Sequence, residues 1–176
     1  MKKHIVICAL GTDRPGILRD LVKSIADLGC SVADSRVTVL GNEFVLTLLA
    51  TGTWNAVAKL ESQVPTIGKR LELDITARRT EARTPRQDML PYVVDVAALD
   101  QPGILFDIAD FFASRDINID ELSTWTYAAN NTGAPMISIS MNVSIPADLH
   151  IGRLRDDFTD FCDSLNLDAT LEPARR

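Results

Sequence analysis

Asp-x-Pro-Gly-Ile-Leu occurs twice in this chain, at residues 13–18 and again at residues 100–105. The two copies stand 87 residues apart in a chain of 176, about half its length. A motif repeated at that spacing constrains the fold more than any compositional figure, because whatever the first half forms, the second half is expected to form as well.

The hydrophobic pattern supports the same conclusion. Each half reads strand, helix, strand, strand, helix, strand. In the first half, residues 4–10 are a short apolar run suited to a buried strand. Ile17, Leu18, Leu21, Val22, Ile25 and Leu28 then recur at helical spacing, with Pro15 placed for the first turn and Gly29 placed to close the helix. Residues 31–40 are rich in β-branched side chains, Gly41-Asn42 signals a tight hairpin, and residues 43–50 return as the partner strand. Thr53 is a plausible N-cap for a helix carrying Trp54, Val57, Leu60 and Val64, which Pro65 is expected to break or restart before a last strand over residues 70–78.

Residues 80–89 (TEARTPRQDM) are polar, contain Pro85 and lack apolar periodicity. They divide the chain into units at 1–79 and 91–176, with 80–90 as the linker. The second unit repeats the order. Strands are expected at residues 92–99, 117–127, 136–144 and 167–171. One helix is expected over 102–115, with Ile104, Leu105, Ile108, Phe111 and Phe112 inward. A second carries the stripe Ile151, Leu154, Phe158, Phe161 and Leu165. Right-handed crossovers then give an α+β protein of two ferredoxin-like βαββαβ domains, each a four-stranded antiparallel sheet with two helices on one face.

Charge and special residues narrow the function classes. Residues 1–84 carry 12 Lys and Arg against 9 Asp and Glu, whereas residues 85–176 carry 6 against 15. The net −6 is the wrong sign for direct nucleic-acid binding, which relies on basic groups displacing phosphate counterions. No apolar run approaches the roughly 20 residues of a membrane span, and the N-terminus lacks a signal-peptide h-region, so a cytoplasmic protein is expected. Cys8, Cys30 and Cys162 read as small buried hydrophobes, and the isolated His4 and His150 offer no metal-ligand spacing. No Ser/His/Asp set, paired catalytic carboxylates or phosphate-cradling glycine run appears, so no enzymatic activity and no cofactor are expected. Arg14 and Arg19 read as solvated, and where an RNA-binding sheet stacks bases on aromatics of its central strands, residues 43–50 offer only Phe44 and residues 136–144 none.

Both copies of the hexapeptide join a first strand to a first helix. Structurally, the Asp accepts N–H bonds at the helix start, Pro fixes φ, Gly permits a sharp entry and Ile-Leu begins the buried face. Functionally, a helix N-terminus keeps free N–H donors, and Gly16 or Gly103 lets a ligand approach the backbone. A carboxylate held there, with Asp13 or Asp100 facing an ammonium group, describes a free α-amino acid. The residues alone leave both readings open.

A βαββαβ unit with D-x-P-G-[IL]-L after its first strand resembles the ACT domain, a regulatory module. Two such units, with WNAVAKLE at residues 54–61 as a second helix, resemble the glycine cleavage system transcriptional repressor group. The resemblance implies a non-enzymatic, amino-acid-responsive regulator, glycine being the suggested ligand, that acts on a partner transcription factor. The alternative it leaves is a regulatory subunit that binds a metabolic enzyme of amino-acid or folate metabolism in trans. It also implies homodimerisation, and ligand sites between the strand-helix loop of one unit and the second strand of a neighbour. Those positions are Asp13, Arg14, Gly16, Ile17 and Leu18 with Ser31, and Asp100, Gln101, Gly103, Ile104 and Leu105 with Asn118. Ser31 departs from the side-chain amide found at that place in the family, so the two sites are unequal. Asn118 reads equally well as a strand-start residue bonding locally.

Overall fold

A computed structural model describes residues 2–84 and 87–175. Pro85, part of the expected linker, lies outside the described residues, as do Met1, Arg86 and Arg176. The order in the first unit is β1 (Lys3–Thr12), α1 (Ile17–Asp27), β2 (Ser31–Leu40), β3 (Glu43–Gly52), α2 (Trp54–Leu71) and β4 (Asp74–Thr80). The second unit repeats it as β5 (Met89–Leu99), α3 (Ile104–Ala113), β6 (Asn118–Ala128), β7 (Pro135–Pro146), α4 (Ile151–Ser164) and β8 (Asp168–Pro173). The sheets run β2-β3-β1-β4 and β6-β7-β5-β8 with every pairing antiparallel, as the βαββαβ reading requires. The chain divides into two compact units, Met1–Thr84 and Pro85–Arg176.

Within each unit the core lies between the sheet and its two helices. Ile5, Ile7 and Ala9 of β1 and Phe44, Leu46 and Leu48 of β3 are buried with Ile17, Leu21, Ile25, Val57 and Leu60 of the helices. The second core is more aromatic. Phe111, Phe112, Phe158 and Phe161 form a cluster, the closest ring centroids being 4.8 Å apart. Gly41, with φ 63°, turns the two-residue hairpin that sets Leu40 opposite Glu43. Among the described residues no helix is long and apolar enough to cross a membrane.

Three expectations are corrected. Pro65 does not break its helix, because α2 runs unbroken through it. The proline is exposed, so the carbonyl it deprives of a donor can turn to water, while Val57, Leu60, Val64, Ile67 and Leu71 keep one continuous buried face on either side. Leu71 consequently ends a helix rather than opening a strand. Glu72 closes that helix in the left-handed region at φ 57°, and β4 starts only at Asp74. Trp54, read as part of the inward stripe, is exposed at the helix start, where the Arg79 guanidinium lies 5.7 Å from its ring centroid.

A further correction concerns Cys8, which is exposed. It alternates with Ile5, Ile7 and Ala9 on a strand whose helices cover only one face. Cys30 and Cys162 are buried, and desolvation pushes both thiols up, Cys162 to about 11. Alkylation requires the thiolate. Iodoacetamide at mildly alkaline pH is therefore expected to label Cys8 in the folded protein, and Cys30 and Cys162 only after unfolding. Peptide mass spectrometry of the two samples checks this.

Candidate functional site

The two strand-helix junctions share one backbone design. In the first unit the Asp13 N–H donates to the Asn42 carbonyl (3.0 Å), the Ile17 N–H to Arg14 (3.3 Å), and the Asp20 N–H to Gly16 (3.0 Å). In the second the Asp100 N–H donates to Pro135 (2.9 Å), the Ile104 N–H to Gln101 (3.5 Å), and the Asp107 N–H to Gly103 (2.9 Å). The chain reverses at Gly16 (φ 86°) and Gly103 (φ 96°), both left-handed, and each glycine is the N-cap residue of the helix that follows. Pro15 and Pro102 therefore sit ahead of their helices rather than in the first turn.

This geometry overturns part of the structural reading of the hexapeptide. Among the described residues neither Asp13 nor Asp100 accepts a hydrogen bond through its carboxylate; both are exposed and cap nothing. Ile17 and Ile104 are buried as expected, yet Leu18 and Leu105, expected on the same inner face, are 41% and 40% exposed. Each loop thus presents a carboxylate, a first-turn backbone and a leucine to solvent.

The loops differ in charge. Arg14 approaches Asp20 at 3.4 Å and Arg19 at 2.8 Å, so both arginines are paired rather than simply solvated. The hydrogen bond from Arg19, reinforced by both positive charges, holds the Asp20 carboxyl below its ordinary range. At the matching places the second loop carries Gln101 and Phe106, the latter 72% exposed.

Ser31 and Asn118 lie elsewhere. Ser31 pairs with Thr51 of β3, which is level with His4 at the start of β1, whereas Asp13 follows the other end of that strand. Eight or nine residues of strand, roughly 25–30 Å, separate the two along the sheet. Asn118 is level with Ser144 and Pro91, equally far from Asp100. The fold of a single unit does not bring its own loop and its own second strand together.

A feature that sequence reasoning missed adjoins these residues. A β-bulge falls between Val32 and Asp34 and again between Ile119 and Glu121, so the irregularity recurs at the same 87-residue offset. The extra residue is Ala33 in one unit and Asp120 in the other. Asp120 accepts a hydrogen bond from the Asn118 side-chain amide (2.7 Å) and another from the Ser144 hydroxyl. Asn118 therefore has a local partner, a neighbouring carboxylate rather than backbone, and its amide orientation is fixed. Aligning the two halves, which sets Asp120 against Ala33, was the available signal.

Among the described residues no three His, Cys, Asp or Glu side chains are placed to hold a metal ion. His150 instead caps α4, its Nδ1 accepting from the Arg153 N–H at 3.1 Å.

Comparison with known proteins adds relatives to this geometry. Residues 3–78 match the family model of the ACT domain. The sequence is 35% identical over 169 residues, 96% of this chain and 88% of the relative, to the glycine cleavage system transcriptional repressor of Escherichia coli (strain K12), and likewise to that of Shigella flexneri. A crystal structure assigned to a glycine cleavage system transcriptional repressor superposes with a TM-score of 0.75 at 27% identity, covering 100% of this chain and 99% of that one. The crystal structure of an unknown protein from Galdieria sulphuraria shares the fold, with a TM-score of 0.80 at 23% identity over 99% of this chain and all of that one.

The glycine geometry has a measurable consequence. A β-carbon at Gly103 would meet nothing within 4 Å, so the penalty for Gly103→Ala is one of backbone conformation alone. The left-handed region costs a residue with a β-carbon about 1–2 kcal/mol, and asparagine less. Urea unfolding is expected to show that loss in Gly103→Ala and a smaller one in Gly103→Asn.

Proposed function

Because the chain belongs to the family of the glycine cleavage system transcriptional repressor, we propose that it is a cytoplasmic, amino-acid-responsive regulator that modulates a partner transcription factor of glycine cleavage and one-carbon metabolism. Its named relatives are regulators, and its first unit matches a regulatory domain.

The observation that carries the ligand reading is the idle carboxylate of Asp13 and Asp100 beside a helix opened by a left-handed glycine. First-turn N–H groups and the positive end of the helix dipole favour a ligand carboxylate. The aspartate favours the ammonium group one carbon away. Leu18 or Leu105 supplies a short apolar wall, suited to an amino acid with little side chain.

A complete site needs a residue from a second unit, since each loop stands far from its own Ser31 or Asn118. This is the reason for proposing that the chain works as a homodimer. With its amide N–H₂ directed to Asp120, Asn118 keeps its carbonyl oxygen for an ammonium group. We assign the stronger site to Asn118, where Ser31 offers only a hydroxyl, and glycine as its ligand.

Thermal unfolding against a panel of amino acids tests the proposal. A ligand at about 100 times its Kd stabilises the folded state by roughly 2.7 kcal/mol, enough to raise the midpoint several degrees. Glycine is expected to give such a shift, and Asn118→Ala to abolish it while changing the unliganded stability by no more than about 0.5 kcal/mol, as is usual for an exposed site. No shift with any amino acid would sink the ligand reading.

A further inference from the structure

The duplication provides an internal control for the helix layer, and the two copies have diverged there. In the first unit α1 and α2 carry five basic side chains against three acidic, and their charges are largely engaged within the unit. Asp20 is paired with Arg14 and Arg19, Lys23 with Asp27, and the Arg70 guanidinium donates to the Ser24 hydroxyl at 2.6 Å, tying α2 to α1. In the second unit α3 and α4 carry two basic side chains against six acidic.

Phe111 stands where the first unit has Ser24, so the hydroxyl that accepts from Arg70 has no counterpart there. Instead a groove runs between α3 and α4. Its apolar part is Phe111, Phe161 and Leu165, and Asp107, Asp110 and Asp157 rim it. Among the described residues Asp107 and Asp110 have no ion-pair or hydrogen-bond partner for their carboxylates. One place in the groove already holds a cation. The Arg115 guanidinium lies 3.8 Å from the Phe111 ring centroid and 3.6 Å from Asp157. The groove therefore accepts a cation over an aromatic floor beside a carboxylate, and leaves two further carboxylates without one.

We infer that this groove docks a basic amphipathic helix of a partner protein, its apolar side chains on Phe161 and Leu165 and its Lys or Arg side chains on Asp107 and Asp110. Charge complementarity selects this occupant. The same groove of a second copy would set acidic rim against acidic rim, and three of the five basic side chains on the helices of the first unit are already engaged. The inference rests on the reading that the chain acts through a protein partner, but it does not require the amino-acid site.

The test uses the full chain and a fluorescent peptide of Leu, Lys and Ala arranged as an amphipathic helix, with a scrambled peptide of identical composition as control. Anisotropy at low salt is expected to show binding of the first peptide and at least about tenfold weaker binding of the second, with amide chemical-shift changes confined to α3 and α4. Asp110→Lys and, independently, Leu165→Ser should each weaken binding about tenfold, with the melting profile retained. Equal binding by both variants, equal binding of the scrambled peptide, or shifts located on the sheets would overturn the inference. Sedimentation showing a dimer that Asp110→Lys dissociates would overturn it too, because the groove would then hold a second copy. The amino-acid-induced thermal shift, measured on Asp110→Lys, is a separate readout, so loss of one reading is distinguishable from loss of the other.

Discussion

Burial of one sheet face, and only one, is the constraint on which each unit depends. Two helices cover a sheet of four strands, so the central strands alternate between core and open face, and Cys8 is exposed between buried neighbours. The helices do not reach the edge. Val37 and Val39 of β2 pair with the buried Leu46 and Phe44 and lie on the same sheet face, yet both are exposed, along with the whole of that strand. An edge strand presents unpaired backbone as well as these side chains, which is a surface that favours pairing with another chain. Under the proposed function, such pairing would bring each loop the second-strand residue that its own unit holds at a distance.

Duplication has preserved backbone irregularities more faithfully than side chains. The left-handed glycine, the turn before it and the bulge that follows Ser31 or Asn118 all recur at one offset. Gly29, left-handed after the first helix, has Asp116 as its counterpart, held at φ 55° without glycine's freedom. Charges, by contrast, were free to diverge. The arginines that surround Asp20 have become Gln101 and Phe106 beside Asp107, and Ser24 has become Phe111. Two units with one skeleton thus offer different chemistry at corresponding places.

Much of the fold was legible because period and punctuation agreed. β2 was readable to its end residues from β-branched content and the glycine that follows it. Errors arose where a local rule met a stronger tertiary one. Proline disfavours a helix interior by about 3 kcal/mol, but a buried stripe that continues past an exposed Pro65 outweighs it. Leu18 and Leu105 looked inward because they neighbour a buried isoleucine, and a helix that starts at Ile17 or Ile104 turns them outward by roughly 100°. The position of both strand-helix junctions was legible as well. The role of Asp120 was not, since a bulge shifts strand register by one residue and no single-residue preference announces it.

The second unit places its two proposed surfaces on one element. Gly103 and the first-turn N–H groups open α3, and Asp110, Phe111 and Arg115 lie along or just beyond the same helix, within about 20 Å at 1.5 Å per residue. Ile108 and Phe112 anchor this short helix in the core. An amino acid that draws the N-terminus of α3 toward a neighbour's strand would therefore change the opening of the groove against α4. Coupling of this kind is reciprocal and commonly amounts to 1–3 kcal/mol. If both proposed surfaces are used, a partner helix seated between α3 and α4 would alter amino-acid affinity by the same factor as the amino acid alters its own.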